Sequence, residues 1–243
     1  MLLNPVLVNA ESFQEAWLKG SRLIVQNKWE LWNLIVHITN PNNFDTIFHR
    51  SVSRFAFTHN LLDPKAVAYT IFPYKLYRRY RTASNLFHVY NKPHGFYERK
   101  YGSSKYWGNY FRRMTYYEGT NGVINQLENI INAINNSRRI HKAAYTIVIQ
   151  KPGGETVKPL GGPCLNYIAI QQEPSTPKRL SLLCVYRNHD FLERTYGNYW
   201  GLCELLKFLA AEIEAIPTGI TCISSHAFIA SHKRDFKRLV DSL

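Results

Sequence analysis

Short apolar runs and longer segments with helical spacing alternate along the second half of the chain. The short runs are rich in β-branched residues and are bounded by Gly, Pro or Ser, which is typical of β-strands. The predicted strands are 145–149, 165–170, 180–186 and 220–223. In segment 123–135 apolar residues recur every three or four positions, which predicts an amphipathic helix. Segment 199–216 has the same spacing and little charge, so a helix buried in the core is predicted there.

The first part of the chain, up to about residue 64, mixes the same two signals. It predicts a helix over 12–19 and a strand over 32–39, followed by the turn-forming sequence Asn40-Pro41-Asn42-Asn43. Strands follow one another and helices interrupt them without regular alternation. This order favours an α+β fold, with a mixed β-sheet packed by helices, over a doubly wound sheet. No internal repeat or Gly/Ser-rich linker is found, so a single domain over 1–243 is predicted.

The composition excludes several classes of protein. Hydrophobic residues make up 45% of the 243 positions and aromatic residues 14%. This is too much buriable material for a disordered basic tail, and the residue usage is not that of a collagen or a coiled coil. The formal net charge is +13. A charge of this sign predicts an anionic partner, such as the phosphate of a nucleotide, a nucleic acid or an acidic surface.

The cysteines and the N-terminus indicate the compartment. The four cysteines lie about twenty residues apart without a C-x-x-C pair, so neither a zinc site nor a disulfide framework is expected. The N-terminus lacks the basic and apolar regions of a signal peptide. No stretch approaches the roughly twenty apolar residues that a membrane span needs. The sequence therefore predicts a cytoplasmic protein with no membrane partner and no metal.

The positive charge is concentrated in segment 71–117, which we call the basic aromatic segment. It contains ten lysines and arginines and one acidic residue, Glu98, so its net charge is +9, and it also holds fifteen aromatic residues. Two interpretations stay open. The segment could bind single-stranded nucleic acid through cations on the backbone and rings that stack on bases. Alternatively, its rings pack into the core and its cations surround the mouth of an active site.

Two short motifs offer candidate chemistry. Arg138 and Arg139 follow the predicted helix 123–135, and adjacent guanidinium groups suit phosphate oxygens, although cations at a helix end are also common on a solvated surface. Cys164 follows Gly161-Gly162-Pro163 and opens a strand. A thiol on a rigid turn can serve as a nucleophile if nearby arginines lower its pKa. A lone cysteine is otherwise usually a small buried hydrophobe.

Two further motifs lie at the ends of predicted strands. Tyr186-Arg187-Asn188-His189-Asp190 ends one strand, and Asn198 follows at the start of the long core helix. The amide of Asn198 can match the O4 and N3–H edge of a uracil ring, or it can cap the helix. Ser224-Ser225-His226-Ala227-Phe228 ends another strand.

In this order, the motifs resemble the thymidylate synthase superfamily, which includes the pyrimidine nucleotide hydroxymethylases. The likeness extends from about residue 107 to residue 228, and the spacing from Arg187 through Asp190 to Asn198 is its most specific part. The resemblance implies a thymidylate-synthase-like fold and a transferase that acts on a uracil (deoxy)nucleotide. It also implies a homodimer and the cofactor 5,10-methylenetetrahydrofolate.

The resemblance also implies roles for individual residues. Cys164 would add to C6 of the pyrimidine, which allows C5 to accept a methyl or hydroxymethyl unit. The 5′-phosphate would be bound by Arg187 and Asn188, and by Arg138 and Arg139 from the other subunit. Asn198 would read the base. The sugar contacts would fall to His226 and Phe228, and the cofactor contacts to Asp190 and Trp107.

Several positions depart from the family pattern. Leu165 stands where the family usually has His, and Phe228 and Trp107 each stand where it has Tyr. The family's catalytic Glu has no match, because the nearest candidate segment offers Thr70. Thr cannot replace a carboxylate in general acid/base catalysis, which typically contributes about 10²–10⁴-fold. The alternative function is therefore a catalytically weak or repurposed relative that binds nucleotides or single-stranded nucleic acid.

Overall fold

The computed structural model describes residues 4–102, 107–137, 139, 141, 145–151, 155, 161–173 and 175–243. The helices are α1 Phe13–Gln26, α2 Thr46–Thr58, α3 Pro64–Ile71, α4 Tyr74–Tyr80, α5 Ala83–Asn91, α6 Phe96–Tyr101, α7 Tyr110–Thr115, α8 Gln126–Asn136, α9 Thr195–Glu212 and α10 Lys233–Ser242. The strands are β1 Val6–Ala10, β2 Glu30–Ile38, β3 Tyr117–Gly119, β4 Gly122–Ile124, β5 Tyr145–Val148, β6 Leu165–Glu173, β7 Arg179–Tyr186, β8 His189–Asp190 and β9 Ile216–Phe228.

The main sheet is mixed, as predicted. Its strand order is β1-β2-β9-β7-β6-β5, and the short β8 pairs with β9. β1 runs parallel to β2, and β7 runs parallel to β9, whereas the other neighbours along this order are antiparallel. Helices α1 and α9 pack against the sheet, and α3 packs on α9. The prediction of an α+β fold with a mixed sheet packed by helices is confirmed.

The two faces of the sheet differ in burial. One transverse row of paired residues faces the helices, and all its members are buried: Val8, Val36, Cys222, Cys184, Ile168 and Ile147. The adjacent row lies on the opposite face, and all its members are exposed or half-buried: Leu7, Ile35, Ile223, Val185, Tyr167 and Val148. We call the second set the outer row. The alternation follows from the period of two along each strand.

Several element boundaries differ from the prediction. The first helix begins after Ser12, whose hydroxyl accepts a hydrogen bond from the N–H of Glu15 at 3.1 Å, but it continues to residue 26. The helix predicted over 123–135 begins only at residue 126, because Asn125 caps it. Val123 and Ile124 belong to β4, which pairs with β3.

The long core helix begins earlier than predicted. It spans Thr195–Glu212, and Ile216 is already the first residue of β9. Asn198 is consequently not the cap: its backbone N–H donates to the carbonyl of Arg194, inside the first turn. Among the described residues, no helix combines the length and the apolar character that crossing a membrane requires.

Two glycines allow α9 to lie directly against α3. A Cβ at Gly201 would come within 2.7 Å of the carbonyl oxygen of Ala68, and one at Gly197 within 2.6 Å of the carbonyl oxygen of Pro64. Both obstacles are backbone atoms, which cannot rotate away. The four-residue spacing places both glycines on one face of α9.

We expect Gly201→Ala to lower the free energy of unfolding by about 1–3 kcal/mol, because the added methyl group forces the helices apart. The loss should occur although Ala has the better helix propensity. Chemical denaturation followed by circular dichroism measures it. Ala211→Leu adds more volume at an exposed position of the same helix and should change the stability by less than about 0.5 kcal/mol. Equal effects of the two substitutions would contradict the close packing.

Candidate functional site

The strand directions bring distant parts of the chain to one edge of the sheet. Because β7 and β9 are parallel, their carboxyl ends lie side by side, and the antiparallel β6 begins at the same edge. Cys164 immediately precedes β6, Asn188 follows β7, and Phe228 ends β9. These side chains consequently meet although up to 64 positions separate them in the sequence.

A cavity of about 740 Å³ lies at this edge. Its size is within the range usual for small-molecule sites. Six of the ten candidate site residues named above line it: Trp107, Cys164, Asn188, Asp190, Asn198 and Phe228. Thr70, where the family's catalytic Glu is expected, lines the same cavity.

The loop before Cys164 depends on glycine. Gly161 and Gly162 have φ angles of 75° and 91°, in the left-handed region that L side chains rarely adopt. A Cβ at either position would meet no atom of the described residues within 4 Å. Backbone conformation, rather than crowding, is therefore what requires these two glycines.

Two side chains hold this loop and the residues that follow it. The hydroxyl of Tyr110, at the start of α7, accepts hydrogen bonds from the N–H groups of Cys164 at 3.3 Å and Leu165 at 3.5 Å. The guanidinium of Arg187 donates from Nε to the carbonyl of Pro163 at 3.2 Å and from Nη2 to the carbonyl of Gly161 at 3.3 Å. Arg187 thus binds the loop that carries the thiol and is not among the residues that line the cavity.

The pKa of the Cys164 thiol is raised above its ordinary value of 9.0. Burial is the main cause, because it disfavours the thiolate, and the carboxylate of Asp190 adds to the effect. The positive charges of Arg187 and Arg194 lower the pKa but do not outweigh burial. Burial therefore outweighs the arginines, and the pKa of Cys164 is raised and not lowered as expected.

Asn198 reaches the cavity from the first turn of α9 and is 3% exposed. Its Nδ2 lies 3.1 Å from Nε2 of His189, whose Nδ1 lies 2.9 Å from the hydroxyl of Ser224. The Oδ1 of Asn198 is buried and has no hydrogen-bond partner among the described residues. Burial lowers the pKa of His189 to about 3, so the imidazole is neutral near pH 7.

Two carboxyl groups, those of Asp190 and Glu193, line the cavity. Oδ1 of Asp190 accepts hydrogen bonds from the N–H groups of Leu192 at 2.9 Å and Glu193 at 3.4 Å. Burial raises the pKa of Asp190, and these hydrogen bonds oppose the shift. Thr70 instead uses its hydroxyl to donate to the carbonyl of Val67 at 2.7 Å. The carboxyl groups of this cavity therefore come from the α9 side and not from α3.

The other candidate residues lie beside or away from the cavity. His226 is half-buried, with Nδ1 2.9 Å from Oδ1 of Asn188 and Nε2 3.2 Å from a carboxylate oxygen of Glu30. Its ring stacks on Phe228 with the centroids 5.3 Å apart. Arg139 is exposed beyond the end of α8, and Arg138 lies outside the described residues.

A buried ion pair supports the wall of the cavity that carries Trp107. The guanidinium of Arg113 pairs with the carboxylate of Glu155, and both side chains are about 90% buried. Arg113 also donates from Nε to the carbonyl of Trp107 at 2.7 Å and from Nη1 to the carbonyl of Ile149 at 3.3 Å. The backbone before α7 is thereby tied to the segment that follows β5.

The basic aromatic segment divides its residues between core and surface. Many of its rings are buried, including Phe72, Tyr74, Phe87, Tyr90 and Phe111. Most of its described cations are exposed, and none of them lines the cavity. The rings pack as the second interpretation predicts, but the cations do not line the site. Binding of nucleic acid by this surface stays a prediction.

Sequence reasoning did not assign a role to Tyr110 or His189. Tyr110 lies within the motif that was compared with the family, but its contact with Cys164 spans 54 positions of the sequence. His189 stands between two assigned residues, Asn188 and Asp190, and all three line the cavity. Its position within that motif was the one available signal.

Models of known protein families and curated protein sequences give no match to this chain. All four cysteines are free thiols. Within the part of the chain that the structure describes, no cluster of three or more His, Cys, Asp or Glu residues could hold a metal ion.

We expect iodoacetamide to modify Cys164 and to spare the other three cysteines, which are buried. Because the thiolate is the reactive form, the rate should rise with pH and reach half its maximum above pH 9. Peptide mass spectrometry across a pH series measures this. Arg194→Gln removes a charge that lowers the thiol pKa, so its profile should shift to still higher pH. A midpoint below pH 8 in the unmodified chain would contradict the role assigned to burial.

Proposed function

We propose that the cavity binds a uracil (deoxy)nucleotide and that Cys164 is the nucleophile of a thymidylate-synthase-type one-carbon transfer. The observation that carries this proposal is the convergence of the predicted residues. Trp107, Cys164, Asn188 and Phe228 come from four separate segments, yet all line one cavity with Asp190 and Asn198. A cysteine that merely filled the core would need no such surroundings.

The pyrimidine ring would lie between Cys164 and Asn198. The unpartnered Oδ1 of Asn198 supports this placement, since a buried acceptor without a partner is costly and a ring N–H would satisfy it. The remaining hydrogen on Nδ2 could be donated to O4. Both atoms that uracil presents along this edge would then be paired.

The reaction would begin when the Cys164 thiol gives up its proton and Sγ attacks C6 of the ring. The new S–C6 bond shifts the electrons of the C5–C6 double bond toward C5 and O4, and C5 then bonds to the one-carbon unit. C5 would next lose its proton to a base, and the bond between the one-carbon unit and its carrier would break, leaving a methylene group on C5. Addition of a hydride from the reduced carrier, or of hydroxide from water, would give the methyl or hydroxymethyl product. The C5–C6 double bond would re-form in that step, and the S–C6 bond would break to return the thiolate. The arginines near Cys164 would stabilise that thiolate.

Four further residues would bind the phosphate and the sugar of the nucleotide. Arg187 lies beside the loop that carries Cys164, which supports a role near an anionic 5′-phosphate. Asn188 lines the cavity next to it and has an amide that can donate to phosphate. His226 contacts Asn188 from the side, and its ring stacks on Phe228, which supports their assignment to the sugar end of the nucleotide.

The residues of the cavity fit a folate. Trp107 offers an aromatic face, and Asp190 offers a carboxyl group to the N–H donors of the pterin ring. When bound, 5,10-methylenetetrahydrofolate supplies the one-carbon unit. The chain's own contribution would be to orient C5 and to move its proton.

The proton of C5 requires a base other than Thr70. Asp190 and Glu193 are the carboxyl groups among the described lining residues. Burial raises the pKa of Asp190, which makes this carboxyl group the better candidate for a general acid. Glu193 would then be the better candidate for the base.

A homodimer would complete the phosphate site with Arg138 and Arg139 of the second subunit. The outer row supports such an assembly, because it presents apolar side chains across six neighbouring strands on the face opposite the helices. Leu7 in this row is 63% exposed and Val148 is 41% exposed. Contiguous apolar surface of this kind typically marks an interface.

A second function, nucleotide or nucleic-acid binding without catalysis, is favoured by one observation. The position that corresponds to the family's catalytic Glu is Thr70, and its hydroxyl is already engaged by Val67. The exposed cations of the basic aromatic segment would then provide the binding surface.

We expect the protein to release tritium from 5-tritiated dUMP when methylenetetrahydrofolate is present, because addition at C6 makes the C5 proton labile. Cys164→Ala should abolish the release, whereas Cys203→Ala, which removes a buried thiol outside the cavity, should leave it unchanged. Glu193→Gln and Asp190→Asn should each slow it, by about 10²–10⁴-fold for the residue that transfers the proton.

Full activity of Cys164→Ala would overturn the assignment of the nucleophile. Binding of dUMP without any tritium release, with or without folate, would favour the non-catalytic function instead. Failure of the protein to bind any uracil or cytosine nucleotide would overturn both candidates for this cavity.

We expect the protein to sediment as a dimer and Ile223→Glu to convert it to a monomer, because a carboxylate at the centre of the outer row would be buried without a partner. Analytical ultracentrifugation measures the mass, and circular dichroism checks the fold. Ile47→Glu places the same charge on α2 at a side chain that is 76% exposed and should leave the dimer intact. A monomeric unmodified protein would contradict the assembly.

A further inference from the structure

The amide of Asn198 can meet a ligand in two orientations, and they suit different ligands. With Oδ1 toward the cavity, the side chain accepts a hydrogen bond from a ring N–H. With Nδ2 toward the cavity, it donates to a ring nitrogen. The two orientations have the same shape, so packing alone cannot select between them. A hydrogen-bond partner with a fixed polarity is needed.

His189 is that partner. Its Nε2 lies 3.1 Å from Nδ2 of Asn198, and the imidazole is 1% exposed. The ring stacks almost parallel on Tyr186, with the centroids 3.9 Å apart and 6° between the planes. Tyr199 meets it edge-on at 5.5 Å. These contacts hold the imidazole in one plane and leave it little freedom to turn.

A neutral imidazole has one N–H and one nitrogen with a lone pair, so its two hydrogen bonds have opposite polarity. Nδ1 lies 2.9 Å from the hydroxyl of Ser224. If Nδ1–H donates to this hydroxyl, Nε2 accepts from the amide of Asn198 and Oδ1 is left for the cavity. If the serine hydroxyl donates to Nδ1 instead, Nε2–H donates to Oδ1 of Asn198, and the amide N–H groups face the cavity.

The arrangement in the structure is the first of these. Nδ2 faces Nε2, and Oδ1 is the buried atom that has no partner within the described part of the chain. Uracil offers an N–H at position 3, whereas cytosine offers a lone pair there. Oδ1 would attract the first and repel the second.

We propose that His189, held by Ser224 as the tautomer with its proton on Nδ1, is a positioning residue that turns the carbonyl oxygen of Asn198 toward the ligand and so selects uracil over cytosine. The inference rests on the proposed function, because it assumes that the cavity binds a pyrimidine nucleotide. The inference adds the buried residues His189 and Ser224 to those that determine which base is bound. His189 also lines the cavity, but in the proposed role it acts through Asn198 and transfers no proton in the reaction.

The first test needs no ligand. In protein with ¹⁵N-labelled histidine, long-range ¹H–¹⁵N spectra distinguish a protonated ring nitrogen from an unprotonated one. We expect the signals of His189, assigned by their loss in His189→Phe, to show the proton on Nδ1. A proton on Nε2 would overturn the proposal, whatever the protein binds.

The second test measures base selectivity by calorimetric titration with dUMP and dCMP. The unmodified protein should prefer dUMP. In His189→Phe, which keeps a ring to stack on Tyr186 but has no nitrogen, this preference should fall by at least about tenfold. Ser224→Ala keeps the imidazole and frees its tautomer, so it should reduce the preference in the same direction. Ser224→Ala also tests the proposal if His189→Phe does not fold.

The outcomes separate the two proposals. If the unmodified protein binds neither nucleotide, the proposed function fails. If it prefers dUMP and both variants bind the two nucleotides more weakly by equal factors, the function stands and the positioning role of His189 is overturned. His226→Ala is the matched control, because it removes a histidine that contacts Asn188 at the other end of the site. This variant should weaken the binding of both nucleotides without changing the ratio of their affinities.

Discussion

The candidate site depends on the parallel pairing of β7 with β9. Polar residues lie just beyond the end of β7, at Arg187 and Asn188, and near the end of β9, at His226, and parallel pairing places both strand ends at one edge of the sheet. Antiparallel β6 then begins at that edge and brings Cys164, while antiparallel β2 begins there and brings Glu30 opposite Phe228. A change of direction in any one of these strands would carry its polar residues to the far edge.

Burial and charge compete at Cys164. Removing the thiol from water disfavours its ionised form, and two guanidinium groups nearby are not enough to reverse the effect. The same low polarity strengthens each interaction that a ligand would add. The Cys164 thiol is therefore mainly protonated at neutral pH, and a ligand can change its environment substantially. The neutral state of His189 has the same origin, since burial alone lowers its pKa.

The sequence predicts local structure well where the signal is local. The strand that follows Cys164 and the helix that was predicted to begin at Ser12 both depend on neighbouring residues. The start of α9 was missed, because Arg194 precedes it without a side-chain cap, and the helix is instead fixed by packing of Gly197 and Gly201 on α3. The site could be predicted only in part.

Six of the ten residues that the resemblance selected line one cavity, and the guanidinium of Arg187 contacts the loop carbonyls, so its phosphate-binding role stays a prediction. Such contacts join positions more than twenty residues apart. No periodicity within a single segment reveals them. The contact between Tyr110 and the N–H of Cys164 has the same character, because it joins the start of one helix to the start of a distant strand.

The buried pair of Arg113 and Glu155 connects the wall of the cavity with the edge of the main sheet. Arg113 joins the carbonyl of Trp107, on the cavity wall, to the carbonyl of Ile149, just beyond β5. β5 is an edge strand of the main sheet and carries Val148 of the outer row. Because one guanidinium binds both carbonyls, the position of the cavity wall at Trp107 is coupled to the position of the edge strand β5.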